Sequence, residues 1–208
     1  MAWQPAYAET SDLAGWLGVS DDPGLALPIE AASRAIDKAT GRQFGLTDSQ
    51  TREYTPRWDR GRTVVDTDDM AAVPTLVETL ASDGTVVDTV TNFVVTPRNA
   101  ERNGKPYTAI EYGGMGGDWW YGYGYGNCYP HPSVRTVRVT AEFGWGAIPN
   151  AIVQATLIQA GRFLQRRTSP MPLQMQQIDD IRYQWGAGEL DADIAASLGP
   201  YVRHWGAV

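Results

Sequence analysis

The 208-residue sequence predicts an α+β protein: a small helical core of about four helices, an antiparallel β-rich subdomain inserted into it, and an extended C-terminal arm. Three observations predict it. Apolar residues recur at helical spacing from Leu25 to Ala39; between about Thr51 and Phe143 the pattern changes to short Val/Thr/Tyr-rich runs punctuated by Gly, Pro, Asn and Asp; helical spacing then returns from Ala151 to Leu164. Residues 1–48 and 148–190 are therefore expected to form the helical core, residues 49–147 the β-rich insertion with a Gly-rich aromatic tip at 113–130, and residues 191–208 a C-terminal docking segment.

The first helix is expected over Thr10 to Leu17. Thr10, Ser11 and Asp12 suit a helix start, and Leu13, Trp16 and Leu17 share one face before Gly18. After the turn Ser20-Asp21-Asp22-Pro23-Gly24, the residues Leu25, Ile29, Ala32, Ile36 and Ala39 are spaced by four and three, with Glu30 and Arg34 placed to pair on the opposite face. Gly41 can take the left-handed conformation that closes a helix, and Lys38 and Arg42 complement its negative end, so this helix should stop near Thr40.

In the β-rich block, Asp83-Gly84 between Thr79-Leu80 and Val86-Val87 is a strong hairpin signal, because both turn residues tolerate positive φ. Asn92 to Thr96 and Tyr107 to Tyr112 read as further strands. Val137, Val139, Ala141 and Phe143 alternate with Arg138, Thr140 and Glu142, the pattern of a strand with one buried and one wet face, in a sheet covered on one side. Pro149 suits a helix's first turn, and Ile152, Val153, Leu157, Ile158 and Phe163 occupy most of the circumference of the helix that follows, which is expected to be the most buried one. Arg166 and Arg167 charge its C-terminal end, Ser169-Pro170-Met171-Pro172 ends it, and an irregular stretch to Gly188 is expected next. Asp191 can cap a last helix whose apolar stripe is only Ile194 and Leu198, with Gly199-Pro200 as its stop. So narrow a stripe suits a docking element better than a core element.

Composition narrows the function. Hydrophobic residues are 43% and charged residues 20% of the chain, which is globular and not disordered. No apolar run approaches the roughly 20 residues that cross a bilayer, and the first residues lack the basic start and apolar stretch of a signal peptide, so a soluble protein without a membrane partner is expected. One cysteine, Cys128, excludes an internal disulfide. The net charge of -7, from 24 acidic and 17 basic residues, argues against autonomous binding to a phosphate backbone. Fifteen of the basic residues are Arg and two are Lys, Lys38 and Lys105, a balance that suits bidentate protein-protein contacts.

Catalytic inventory is thin. Two His, one Cys and no Gly-rich phosphate loop leave few convergent groups, and no catalytic residue, cofactor site or metal site is assigned. Cys128 and His131 sit close in Cys-Tyr-Pro-His, but a zinc site needs about four ligands and only His204 could join them. Asp66, Asp68 and Asp69 resemble the start of a calcium loop, yet the Gly and closing Glu are absent, and a solvated acidic turn is the simpler expectation. From Gly113 to Asn127, Gly alternates with rings, and Trp119, Trp120, Tyr121, Tyr123 and Tyr125 suit protein-protein contact, a lid over the protein's own sheet, or stacking on sugars or bases. The single charge there, Asp118, disfavours nucleic acid.

Two segments carry a family resemblance. Leu27-Pro-Ile-Glu-Ala-Ala-Ser-Arg-Ala-Ile-Asp-Lys-Ala-Thr-Gly-Arg-Gln-Phe44 and Val137-Arg-Val-Thr-Ala-Glu-Phe-Gly-Trp-Gly-Ala-Ile-Pro-Asn-Ala-Ile152, followed by Gln165-Arg-Arg-Thr-Ser-Pro170 and Asp191-Ala-Asp-Ile-Ala-Ala-Ser-Leu-Gly-Pro-Tyr201, resemble the head-to-tail connector, or adaptor, proteins of tailed bacteriophages. The aromatic Gly-rich segment has no counterpart in that pattern. The resemblance implies a structural virion protein without enzymatic activity or cofactor. It implies a homo-oligomeric ring, about twelvefold, between the portal protein and the downstream neck or stopper protein, assembled in the bacterial cytoplasm and in passing proximity to genomic DNA. It also implies a C-terminal segment that clasps the portal, here through Ile194, Leu198, Tyr201, Val202 and Trp205. A ring of unlike faces needs two complementary patches per subunit. Summed over about twelve copies, the charge approaches roughly -84, which would repel passing DNA. The rival expectations are a β-rich module that binds a host-surface or glycan ligand through the aromatic loop, and a hydrolase with an unrecognised site.

Overall fold

A computed structural model describes residues 4–59, 61–113, 136–168, 175–178, 181–184 and 192–203. The chain divides into two compact units. One comprises Gln4–Phe44 with Ile148–Val208; the other is built on Gly45–Ala147. Among the described residues the architecture is α+β, with four α-helices and an eight-stranded antiparallel sheet.

The first unit is helical, with α1 (Thr10–Leu17), a 3₁₀ turn at Pro23–Leu25, α2 (Ala26–Thr40), α3 (Asn150–Thr168), α4 (Ala192–Leu198) and a last 3₁₀ turn at Gly199–Tyr201. Glu9 and Asp12 form a reciprocal cap at the start of α1, so the cap lies one residue before the Thr10-Ser11-Asp12 run. Gly18 at φ 66° and Gly41 at φ 63° close α1 and α2 in the left-handed region. Leu13, Ala14, Leu25, Ile29, Ala32 and Ala160 form the buried cluster, with Leu17, Leu157, Phe163 and Leu164 against it. The α2 stripe drifts at its end: Ala39 is exposed and Thr40 is buried, its hydroxyl donating to the Ile36 carbonyl at 2.9 Å. That bond lets a polar side chain take the core position. Arg34 pairs with Asp37 at 3.2 Å and donates to the Pro5 carbonyl at 2.8 Å, and so does not form the expected pair with Glu30.

α3 is the central helix of this unit, meeting α1, α2 and α4; it buries one broad face through Ile152, Ala155, Thr156, Gln159 and Ala160, while Val153, Leu157, Ile158 and Phe163 are half-buried. One further expectation is corrected. The stretch expected to be irregular contains a short antiparallel hairpin, Met175–Ile178 with Ile181–Gln184.

The second unit contains β1 (Leu46–Tyr54), β2 (Arg57–Asp59), β3 (Arg62–Met70), β4 (Leu76–Leu80), β5 (Val86–Thr89), β6 (Phe93–Thr96), β7 (Tyr107–Tyr112) and β8 (Thr136–Gly144). Pairing gives two antiparallel ladders, β1-β8-β4-β5 and β2-β3-β7-β6, joined into one half-barrel where Met70 pairs with Phe143. Alternation on β8 is as the sequence predicts. Val137, Val139, Ala141 and Phe143 are buried with Val65, Met70, Val77 and Ile110, while Glu142 is exposed and Arg138 and Thr140 are partly so. The β4–β5 hairpin turns at Gly84, φ 84°, with the Asp83 carboxylate accepting from the Thr85 amide at 2.9 Å and the Thr85 hydroxyl at 2.6 Å. β1 begins at Leu46, earlier than the change of period near Thr51 suggests. A bulge between Leu46 and Ser49 lets the Thr47 hydroxyl accept from the Phe143 amide at 3.0 Å, and this polar stretch is held by β8 without needing an alternating pattern.

The β8 end is a tight corner. Gly144 has φ 116°, and a Cβ placed on it would lie 1.7 Å from the Gly45 carbonyl oxygen, so only glycine fits. The next residue, Trp145, is buried and donates its indole N–H to the Asp69 carboxylate at 3.0 Å.

Candidate interaction surfaces

The expected docking stripe is covered. Ile194 is 2% and Leu198 1% exposed, because α4 lies against α2 and α3 and turns its one apolar face inward. A seven-residue helix has room for only one such face, and two side chains fill it. Asp193, at the start of α4, accepts from Arg162 on α3 at 3.4 Å and is held below the usual carboxylate range, first by the Ile194 amide and then by Arg162. Beyond the helix, Tyr201 is half-buried, its ring edge-on to Phe44 at 6.0 Å and its carbonyl accepting from Arg42 Nε at 2.8 Å. Val202 is also half-buried, and the Arg203 amide donates to the Thr40 carbonyl at 2.8 Å. Over residues 192–203 the chain is thus folded onto its own helices. Trp205, Trp119, Trp120, Tyr121, Tyr123 and Tyr125 lie outside the described residues, as do Cys128, His131 and His204.

The N-terminal segment is strapped to α2 in the same way. The Tyr7 hydroxyl donates to Asp37 and accepts from the Phe44 amide at 3.0 Å, while the Tyr7 amide donates to the Ser33 hydroxyl at 3.1 Å. Burial pushes the Tyr7 phenol and the Asp37 carboxyl upward, the latter against the pull of the Tyr7 bond and Arg34.

The three aspartates read as an acidic turn belong to strand β3, and each has a donor. Asp66 accepts from Arg57 Nε at 2.7 Å, Asp68 from Arg52 at 2.6 Å and the Tyr54 hydroxyl at 3.1 Å, and Asp69 from Trp145. Asp66 is exposed and Asp69 buried, with an irregularity in the β3–β7 ladder between them. Among the described residues no group of three His, Cys, Asp or Glu is placed to hold a metal ion. Burial raises the phenols of Tyr54 and Tyr112, the latter to about 12, so at neutral pH both rings are donors and not bases. On the wet side of the sheet, half-buried Arg138 of β8 reaches exposed Glu53 of β1 at 3.0 Å and half-buried Glu78 of β4 at 3.8 Å, tying three strands.

What remains exposed and apolar is elsewhere. In the helical unit Leu27 is 73% exposed, with Trp16 and Val19 also open; in the β unit Val73, Leu76, Val86 and Val87 are open. β5 is exposed along its whole length. Sequence reasoning identified the hairpin but not this surface. The β4–β5 register skips Val87, so Val86 and Val87 sit at a bulge that local sequence does not announce. Among the described residues no helix is long and apolar enough to cross a membrane. The sequence matches no protein-family model and no curated protein.

Proposed function

We propose that this chain is a structural virion protein, a head-to-tail adaptor that forms a homo-oligomeric ring below the portal of a tailed bacteriophage and joins it to the neck, leaving a channel for DNA. The observation that carries this reading is the coincidence of the resembling segments with an uncovered apolar edge. Leu27–Phe44 supplies α2, Val137–Ile152 supplies β8 and the start of α3, and the intervening strands leave β5 bare with Val86 and Val87 exposed. A bare apolar strand is a recognised assembly element in soluble proteins and a liability in a solitary one. No catalytic step is assigned to any residue.

The contacts are reassigned accordingly. Ile194 and Leu198 are core residues of the helical unit and are not proposed to meet the portal. The aromatic run Trp119 to Tyr125 and the terminal Trp205 are the sequence features left for partner contact. The test is native mass measurement of the purified chain with and without a tailed-bacteriophage portal protein. Multiple copies bound per portal oligomer are expected. Absence of binding, together with tryptophan fluorescence quenched by sugars, would replace the adaptor with the glycan-binding alternative.

A further inference from the structure

We propose that neighbouring copies of this chain join by unlike surfaces, the acid-rimmed apolar corner of α1 and α2 on one copy receiving the basic turn between β6 and β7 of the next. The inference deepens the ring reading and rests on it for closure; the joint itself is tested separately below.

The corner is apolar and open. Leu25 of the first 3₁₀ turn is buried with Leu13 and Ala14 of α1 and Ile29 of α2, so these three elements form one packed corner. On its outside Trp16 is 55%, Val19 52% and Leu27 73% exposed. The charge around them has one sign. From Gln4 to Ser33 the sequence has five acids, Glu9, Asp12, Asp21, Asp22 and Glu30, and no Lys or Arg. All five are exposed, and among the described residues none is paired with a cation. Glu9, Asp12 and Asp22 accept backbone amides of their own turns, which leaves their charge in place. The first cation along α2, Arg34, is held by Asp37 and the Pro5 carbonyl.

The basic turn is firmly built. Between β6 and β7, buried Ala100 donates its amide to the Pro97 carbonyl at 3.0 Å and accepts from the Lys105 amide at 2.9 Å. Gly104, at φ 60°, closes the 3₁₀ turn Glu101–Asn103. That frame places Arg98, Arg102 and Lys105 on the surface, with Glu101 as the one acid among them. Among the described residues none of the three cations meets a carboxylate. By contrast, Arg34, Arg52, Arg57, Arg62 and Arg138 pair with acids of their own chain.

Complementarity selects the occupant. Three cations and one acid, on a chain whose net charge is -7, are too small a footprint for a phosphate backbone. They suit a carboxylate-rimmed apolar surface, where guanidinium groups meet the acids at the rim and their apolar stems or their planes cover an exposed indole. Trp and Arg are residue types on which interfaces often depend. The corner belongs to the helical unit and the turn to the β unit, so the joint uses unlike surfaces, the type of contact that makes rings when the rotation closes. Two corners facing each other about a two-fold axis would instead set like charges together.

The experiment uses the full chain with Cys128→Ser and one new exposed cysteine per variant, Ser20→Cys beside the corner or Asn103→Cys on the turn. The two are mixed in equal amounts at high concentration, with a portal protein and without it, and treated with a short bismaleimide. Cross-linked dimers holding one copy of each should form, and either variant alone should stay monomeric. Reversing the turn with Arg102→Glu and Lys105→Glu on the Asn103→Cys chain should lower the yield at least about tenfold with an unchanged circular dichroism spectrum. Reversing the corner with Asp21→Lys and Glu30→Lys on the Ser20→Cys chain should do the same. Mixing the two reversed chains should restore the dimer, which a merely structural effect would not. No mixed dimer from folded chains under either condition would overturn the joint, as would failure of that rescue or dimers from Asn103→Cys alone. A mixed dimer without portal capture would keep the joint and remove the adaptor reading, whereas portal capture without a mixed dimer would remove the joint alone.

Discussion

In the helical unit the last helix is seven residues long, yet Ile194 and Leu198 are 2% and 1% exposed; in the β unit the four-residue strand β5 leaves Val86 and Val87 49% and 46% exposed. Length and apolar content are similar, and the outcomes differ because of the backbone. A short helix leaves backbone groups unpaired only at its two ends, and along its side it needs from its neighbours a groove for two side chains. A strand at a sheet edge keeps one row of amides and carbonyls unpaired until another strand arrives. Of these two elements, β5 and not the C-terminal helix leaves apolar surface uncovered, the reverse of what the narrow stripe suggests.

The β unit should break first and most severely at its corner. Gly144→Ala combines a disfavoured positive φ with a clash against the Gly45 carbonyl, and a loss above about 4 kcal/mol is expected, seen as failure to give a cooperative unfolding transition. On the helical side, Leu198→Ala should cost about 2–5 kcal/mol by chemical denaturation, whereas Val87→Ala should stay within about 0.5 kcal/mol. Equal effects would abolish the contrast. Deletion from residue 190 onward, which a pure docking arm would tolerate, should for the same reason lower stability as well as any partner binding.

Trp145→Phe keeps a six-membered ring but removes the pyrrole half with the N–H donated to buried Asp69, and about 1–3 kcal/mol is expected from equilibrium unfolding. The smallest effect belongs to the β4–β5 turn. The Thr85 hydroxyl and amide hold Asp83 below the usual carboxylate range, so its charge stabilises the fold above that range and the benefit is lost as pH falls through the folded value. An acid titration of stability should show the wild type and Asp83→Asn converging at low pH; a constant difference would show that the charge has no part.

Local chemistry was legible where local rules decide. The α2 spacing, Gly18 and Gly41 as helix stops, the Asp83-Gly84 hairpin and the alternation on β8 all follow from periodicity and from residues with one favoured conformation. The three β3 aspartates were misplaced because a strand partnered by arginines and tryptophan tolerates acids that the local pattern assigns to a turn. β1 was placed late, because the ladder to β8, and not its own polar sequence, holds it extended.

By itself the sequence determined the α+β class, the succession of helices, a β-rich block and helices again, and the short supply of catalytic groups, since propensity, spacing and composition act within a few residues. Only the tertiary structure decided which apolar residues stay uncovered. Burial depends on partners distant in the chain: α2 and α3 meet the Ile194–Leu198 face, while no described strand meets the outer edge of β5.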